Sequence, residues 1–396
     1  MANLLDYIAW RGDIPFEQSP FNPVDNIIFS QFSYLDLDGI VPGPPERRSI
    51  TIAAAAQAFT ERQRVDPSFS PENMTIKDAA VFIRALGSAK RYQNCQVFGY
   101  VNEIDHSQEK QFSAFCVTIS NKWFHPLSAV VYRGTDATLV GWKEDFNMSY
   151  SDAVPAQIEA VSYLEKMAKR IYGPLLLAGH SKGGNLAVYA ASHCRTKIRR
   201  RISVIYSNDA PGFHGKVIQS KGYRELQGRI QSFVPQSSFV GMLFDHGTAN
   251  TVIKSTESGL MQHDMYSWEV THNELVRAGG LSNESRLVDK IIRDWINCID
   301  KEQRQRFIEA MYMILTCTQA KSIPELTADR FKTISLIIHS LKNIDDQTRS
   351  LIIKTFAALF RSIRNNFRQR SAENQKSKLK PKPPAGPLLG NVPNSG

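Results

Sequence analysis

The run Gly179-His180-Ser181-Lys182-Gly183 sets a serine between two glycines, with the apolar Leu175–Ala178 before it and the Ala-rich Asn185–Cys194 after it. A serine can act as a nucleophile where the chain turns sharply from a strand into a helix, so that its hydroxyl stands clear of both. The first N–H groups of that helix then face the negative charge that develops on an attacked acyl group. Glycines at 179 and 183 answer the close approach of neighbouring backbone in such a turn. The hydroxyl also needs an imidazole to take its proton and a carboxylate to orient the imidazole. In sheets that present a serine this way, the chain order is serine, acid, histidine.

Six histidines follow Ser181: His193, His214, His246, His263, His272 and His339. His193 lies about three turns along the helix after Ser181 and points elsewhere. His263, in Gln262-His263-Asp264-Met265-Tyr266-Ser267-Trp268, follows the last strand run through a loop and is the first candidate base; His246 is the second. For the acid, Asp209 ends the strand run Ile202–Tyr206 in Ser207-Asn208-Asp209-Ala210-Pro211-Gly212, and Asp245 is the alternative. An Asp before Pro-Gly can equally serve only to cap a turn.

The elements that position these residues read as follows. Helical spacing marks Asn22–Leu35, with Val24, Ile27, Ile28, Phe32 and Leu35 on one face, then Ile50–Phe59 and Ile76–Leu86. Gln96–Ile104 and Gln111–Ile119 read as a hairpin. Beyond them, strand runs Leu127–Tyr132, Leu175–Ala178, Ile202–Tyr206, Ile230–Val234 and Thr251–Lys254 alternate with helical runs, including Val154–Ile171. That alternation predicts an α/β fold with a mostly parallel sheet flanked by helices. From 282 to 367 apolar pairs recur at helical spacing, about four amphipathic helices in series, and from about Ala372 the chain is rich in Lys, Pro and Gly without periodicity.

Two segments resemble class 3 (fungal-type) lipases of the α/β-hydrolase fold: the elbow just described, and Ala129-Val130-Val131-Tyr132-Arg133-Gly134-Thr135 with Trp142 and Asp145 after it. The resemblance implies an oxyanion hole made by Thr135 and the backbone N–H of Lys182, and a lid at 138–142. It also implies that His263 carries the base, as the His-x-x-Tyr segment does in that family. Those lipases usually have an apolar residue where this chain has Lys182, a departure that leaves the amide donor intact and bears on substrate choice. A second departure concerns the acid. The family's Asp follows the strand matching Ile230–Val234, where this chain reads Pro235-Gln236-Ser237-Ser238. Asp209, one strand earlier, resembles the acid position of pancreatic-type lipases. Over roughly 1–275 the chain is also similar to a bacterial family of lipase-like α/β-hydrolases whose own catalytic residues are inferred from these motifs. The implied organisation is a hydrolase domain over 1–280 (a helical N-terminal segment, 1–92, and a sheet core, 93–280), a helical region over 281–370 and a basic tail over 371–396.

Composition bounds the rest. The 396 residues carry a net charge of +10, of which six basic residues and one acid put +5 on 368–396. The remaining +5 on the body is too little to imply a nucleic-acid partner. The tail reads as a solvated extension, its functional alternative being weak contact with an anionic membrane surface. No window reaches the ~18 uninterrupted apolar residues of a spanning helix. Asp6, Arg11 and Asp13 interrupt any standard secretory signal, and five cysteines without a CxxC pair fit a cytoplasmic setting. There is no HExxH and no P-loop, so neither a metal nor a cofactor is expected. The expectation is a serine hydrolase cleaving acyl esters or lipid-like small molecules through an acyl-Ser181 intermediate. Thioester hydrolysis or acyl transfer on the same triad, and a binding protein that keeps the fold without the activity, remain open.

Overall fold

The computed structural model describes residues 2–282 apart from 67–68, 70–78, 106, 121–126, 136–138, 149–150 and 214, together with scattered positions beyond 282. The helices expected over 281–370 and the tail 371–396 therefore lie outside the described residues, bar those scattered positions. So do His214, His339 and position 138 of the expected lid.

Among the described residues, eight strands form one sheet whose spatial order is the chain order: β1 (Ile50–Thr51), β2 (Gln96–Asp105), β3 (Lys110–Ser120), β4 (Leu127–Tyr132), β5 (Leu175–His180), β6 (Ile202–Asn208), β7 (Ile230–Pro235) and β8 (Asn250–Ile253). The first four pair antiparallel, and every step from β4 to β8 is parallel. This is the α/β sheet the alternating pattern predicts. Leu175-Leu176-Leu177-Ala178 reads as an unbroken apolar run because a central parallel strand is covered on both faces.

Alternate residues of the strands feed two cores. Val131, Leu176, Ala178 and Tyr206 pack under α1 (Leu4–Arg11), α2 (Pro23–Phe32), α3 (Ile52–Val65) and α4 (Ala79–Ser88). Val130, Tyr132, Leu175, Leu177 and Ile205 pack on the other face under α6 (Pro155–Met167) and α7 (Lys182–His193). Between these, α5 (Leu139–Asn147) follows β4. Short helices α8 (Thr196–Arg199), α9 (Gly215–Ile218) and α10 (Lys221–Leu226) bracket β6 and lead into β7. A small ribbon of β9 (Val270–Thr271) and β10 (Glu274–Leu275) follows β8.

Three local differences from the sequence reading have physical causes. The run from Ile50 splits: Ile50–Thr51 pairs with β2, and the Thr51 hydroxyl then accepts from the Ala54 amide to cap α3. The run Val154–Ile171 stays helical only to Met167, because the Arg201 guanidinium takes the carbonyls of Ala168, Ile171 and Gly173. And α2, which reads as amphipathic, is buried all round, with Asp25, Asn26 and Ser30 each fully enclosed. Its Asn22 cap and the Asp25 carboxylate form a capping box. Asp25 also accepts two hydrogen bonds from Arg91, at 2.8 and 2.6 Å, and one from Tyr92 at 2.7 Å.

That ion pair joins α2 to the segment entering β2, with both side chains enclosed. Replacing Asp25 by Ala strands a buried guanidinium, which costs about 3–5 kcal/mol. A urea titration of Asp25→Ala should show the midpoint lowered by that energy divided by an unchanged slope.

Candidate active site

Ser181 sits at φ 56°, ψ −133°, a sparsely populated conformation for any residue with a side chain. The turn is held by close backbone packing. A Cβ on Gly183 would lie 2.1 Å from the Tyr132 carbonyl oxygen, and one on Gly179 would lie 2.2 Å from the Gly183 carbonyl. Here glycine is demanded by space at both positions. The amide of Ser181 donates to the Asn208 carbonyl at 2.9 Å, so the elbow is tied to the end of β6.

Asp209 follows directly. It is fully buried, with φ 43°, and its amide donates to the Phe233 carbonyl at 2.7 Å. Its Oδ2 accepts from His263 Nδ1 at 2.6 Å. Its Oδ1 accepts from the Ser238 hydroxyl at 2.5 Å and from the Gly241 amide at 3.1 Å. Four lone-pair directions on a buried carboxylate thus meet three donors. The stretch Pro235–Ser238, where class 3 lipases carry their acid, supplies a hydroxyl to Asp209 instead.

The loop that carries His263 is pinned from several sides. Trp268, fully buried, donates from Nε1 to the Gln262 carbonyl at 2.8 Å, and the Gln262 side chain bridges Ser237 and Glu257. His180, the residue before Ser181, lies with its ring centroid 4.4 Å from that of His263, and its Nε2 sits 2.9 Å from the His263 carbonyl. Its Nδ1 sits 2.8 Å from the Tyr34 hydroxyl. Burial, and then the neighbouring His263, hold the His180 ring well below the ordinary imidazole value. The neutral ring has one N–H, and the carbonyl requires it at Nε2, so Tyr34 donates to Nδ1. With His263 Nδ1 committed to Asp209, its Nε2 is the nitrogen left for proton transfer. Among the described residues, no hydrogen bond joins the Ser181 hydroxyl to the His263 ring. Such contacts are commonly long before a substrate binds.

The Thr135 hydroxyl, the group that the class 3 resemblance implies for the oxyanion hole, donates to Asp145 Oδ2, so that proton is committed. The amide of Lys182 opens α7 and has no carbonyl within its own helix. The Lys182 side chain is buried and turned inward: Nζ donates to Glu144 Oε2, the Gln111 carbonyl and Gln111 Oε1, each at 3.0 Å. It is an internal brace, 1% exposed, rather than a side chain presented at the surface. Glu144 also accepts from the amides of Gln111 (3.0 Å) and Ala156 (2.8 Å), joining β3, α5, α6 and α7 at one carboxylate.

The alternative acid and base have other partners. Asp245 Oδ1 accepts from the Gly247 amide as a turn cap, and His246 Nε2 faces the Gly241 carbonyl at 2.7 Å. His193 stacks on Tyr189 at 4.0 Å, away from the elbow. A cleft of about 250 Å³ lined by Gln231, Phe233, Thr251 and Arg277 lies outside this cluster. No group of three or more metal-ligating side chains occurs among the described residues.

A model of the Mbeg1-like family matches residues 86–313, more than half of the chain. The chain belongs to the Mbeg1-like family. This family is lipase-like, and membership supports a hydrolase-type function in general. Among solved structures, the chain is similar to M37 lipase at 14% identity and a TM-score of 0.35, covering 57% of this chain and 70% of that one. At that level no argument about chemistry follows. No curated protein matches the chain. Sequence reasoning missed His180, Tyr34, Gln262 and Trp268. The histidine inside the elbow motif itself was the one signal available.

Two outcomes are expected here. Glu144→Gln leaves Lys182 charged and enclosed, and should lower unfolding free energy by about 3–5 kcal/mol. The double variant Glu144→Gln/Lys182→Met should recover most of that loss in the same denaturant titration. Because His180 stays neutral when folded but protonates near pH 6.5 when unfolded, it withdraws stability as pH falls below that value. His180→Gln, a neutral donor-acceptor, should flatten the decline in unfolding temperature between about pH 6.5 and pH 5.

Proposed function

We propose that this member of the Mbeg1-like family is a serine hydrolase that cleaves acyl esters through an acyl-Ser181 intermediate. The observation that carries the reading is the 2.6 Å bond between His263 Nδ1 and the buried Asp209 carboxylate, made beside the strained Ser181 elbow. In this mechanism Ser181 Oγ attacks the acyl carbon while His263 Nε2 takes the hydroxyl proton. Asp209 accepts from Nδ1–H and so fixes the tautomer and stabilises the imidazolium. The amides of Lys182 and Thr135 hold the oxyanion, and Thr135 is anchored for this by Asp145. His263 then passes the proton to the leaving alcohol, and water reverses the sequence to free the acid. No step calls on a metal or cofactor. The substrate class, an acyl ester or lipid-like small molecule, is carried over from the lipase resemblance. The same constellation would serve thioester cleavage or transfer to another acceptor.

A fluorophosphonate probe tests the reading. Wild type should be labelled and Ser181→Ala should not. Asp209→Asn should lower ester turnover on the order of 10³–10⁴-fold, as mispaired tautomers do in serine triads. Asp245→Asn should leave it within about twofold. Folded wild type that resists the probe and turns over no ester of any chain length would instead favour a binding protein built on this fold.

A further inference from the structure

The parallel strands β5, β6 and β7 all end at the edge where Ser181, Asp209 and the stretch from Pro235 lie, so their starting ends make up the opposite edge. The connection entering β5, residues 165–174, carries three basic side chains and Glu165. The one entering β6, residues 193–201, carries five and no acid, and the one entering β7, residues 219–229, carries three and Glu225. Eleven basic against two acidic side chains leave nine positive charges, compared with +10 for the whole chain. Residues scattered over 65 positions of sequence are thus gathered onto one rim.

Hydrogen bonds weld the three connections together. Arg201 holds the carbonyls of Ala168, Ile171 and Gly173, and Arg229 holds those of Arg199 and Ile202. Arg199 pairs with Glu225 at 2.7 Å and Arg195 with Glu165 at 3.0 Å. Those arginines satisfy helix ends and strand starts. Lys166, Lys169, Lys197, Arg200, Lys221 and Arg224 do not: all are exposed, and among the described residues their side chains form no hydrogen bond or ion pair. Beside them in the connection entering β5, Tyr172 is 81% exposed, the most exposed of the large apolar side chains among the described residues.

We infer that this rim is a docking face for an anionic membrane surface, with Tyr172 at headgroup depth and the six exposed cations over acidic lipids. A lone amphipathic ring among lysines and arginines suits a bilayer interface. A single-stranded nucleic acid would call for several aromatics in a row on which to stack bases. The geometry also sets the direction of docking. β5 is six residues long, so about 20 Å of sheet separates the rim from Ser181. The face tethers the protein and leaves the serine edge turned toward water. The inference does not depend on the hydrolase reading, because Ser181 has no role in it.

Full-length protein sedimented with phosphatidylcholine vesicles containing one third phosphatidylserine tests it. Wild type and Ser181→Ala should bind these vesicles equally, should release them as salt rises, and should ignore vesicles of phosphatidylcholine alone. Combining Lys166→Glu, Lys169→Glu, Lys197→Glu and Arg200→Glu should weaken binding on the order of 100-fold while the far-ultraviolet dichroism stays unchanged. The same four positions changed to Gln give a smaller loss and guard against a folding failure. Neutralising the tail instead (Lys376, Lys378, Lys380 and Lys382 to Gln) should change binding by less than the rim variant does. Equal binding to uncharged vesicles, loss only in the tail variant, or capture of a single-stranded RNA oligonucleotide without vesicle binding would each overturn the proposal.

Discussion

The fold turns on the backbone at residues 179–184. Gly183 is pressed to the Tyr132 carbonyl and Gly179 to Gly183, and a Cβ on Gly184 would lie only 2.7 Å from that of Ala210, so the ends of β4, β5 and β6 are drawn to one point. Water is excluded there, so each polar group so enclosed needs a partner from elsewhere in the chain. Asn208 meets that need at the elbow: its Nδ2 reaches Gly179 O, Asn26 Oδ1 and Ser30 Oγ, while its carbonyl receives the Ser181 amide. Local strain at Ser181, of order 1–3 kcal/mol, is sustained by this surrounding network.

The N-terminal helices therefore belong to the site's support. Asn26 and Ser30 come from α2, and the Tyr34 hydroxyl lies just beyond it, so close to the elbow that a Cβ on Gly134 would meet it at 2.2 Å. Through His180, Tyr34 is linked to the carbonyl of His263. The chain of contacts runs from an N-terminal tyrosine to the loop of the imidazole some 230 residues later, and the intermediate ring works only while neutral. Burial secures that neutrality.

What the sequence disclosed follows from how local each signal is. The elbow is a strand–turn–helix within twenty residues, and periodicity reports it directly. The parallel sheet likewise follows from alternation alone. Asp209 was visible as an Asp at a strand end, but the three donors that reach it come from Ser238, Gly241 and His263, none of which has a sequence period. The Lys182–Glu144 pair was out of reach for the same reason: the partners are 38 residues apart and each reads as a surface charge. Helix α2 misled in the opposite direction, since its Asp, Asn and Ser look solvated in sequence and are enclosed in the fold. Polar residues that complete a buried network carry no hydrophobic pattern of their own.

The same limit applies to charge. Summed along the chain, positive residues look divided between a tail and a nearly balanced body, because pairs close in sequence dominate any window. In a parallel sheet, successive connections return to the same edge every thirty or so residues, so small local excesses at 165–174, 193–201 and 219–229 accumulate there. Helix carbonyl ends explain some of the excess, because cations are favoured at those termini. They explain Arg201, whose guanidinium is spent on three carbonyls, and do not explain Lys169 or Arg200, which extend into water. The polarity of the strands thus separates two kinds of surface. Strand ends and the N-terminus of α7 gather around Ser181 at one edge, while strand starts and helix C-termini gather cations at the other.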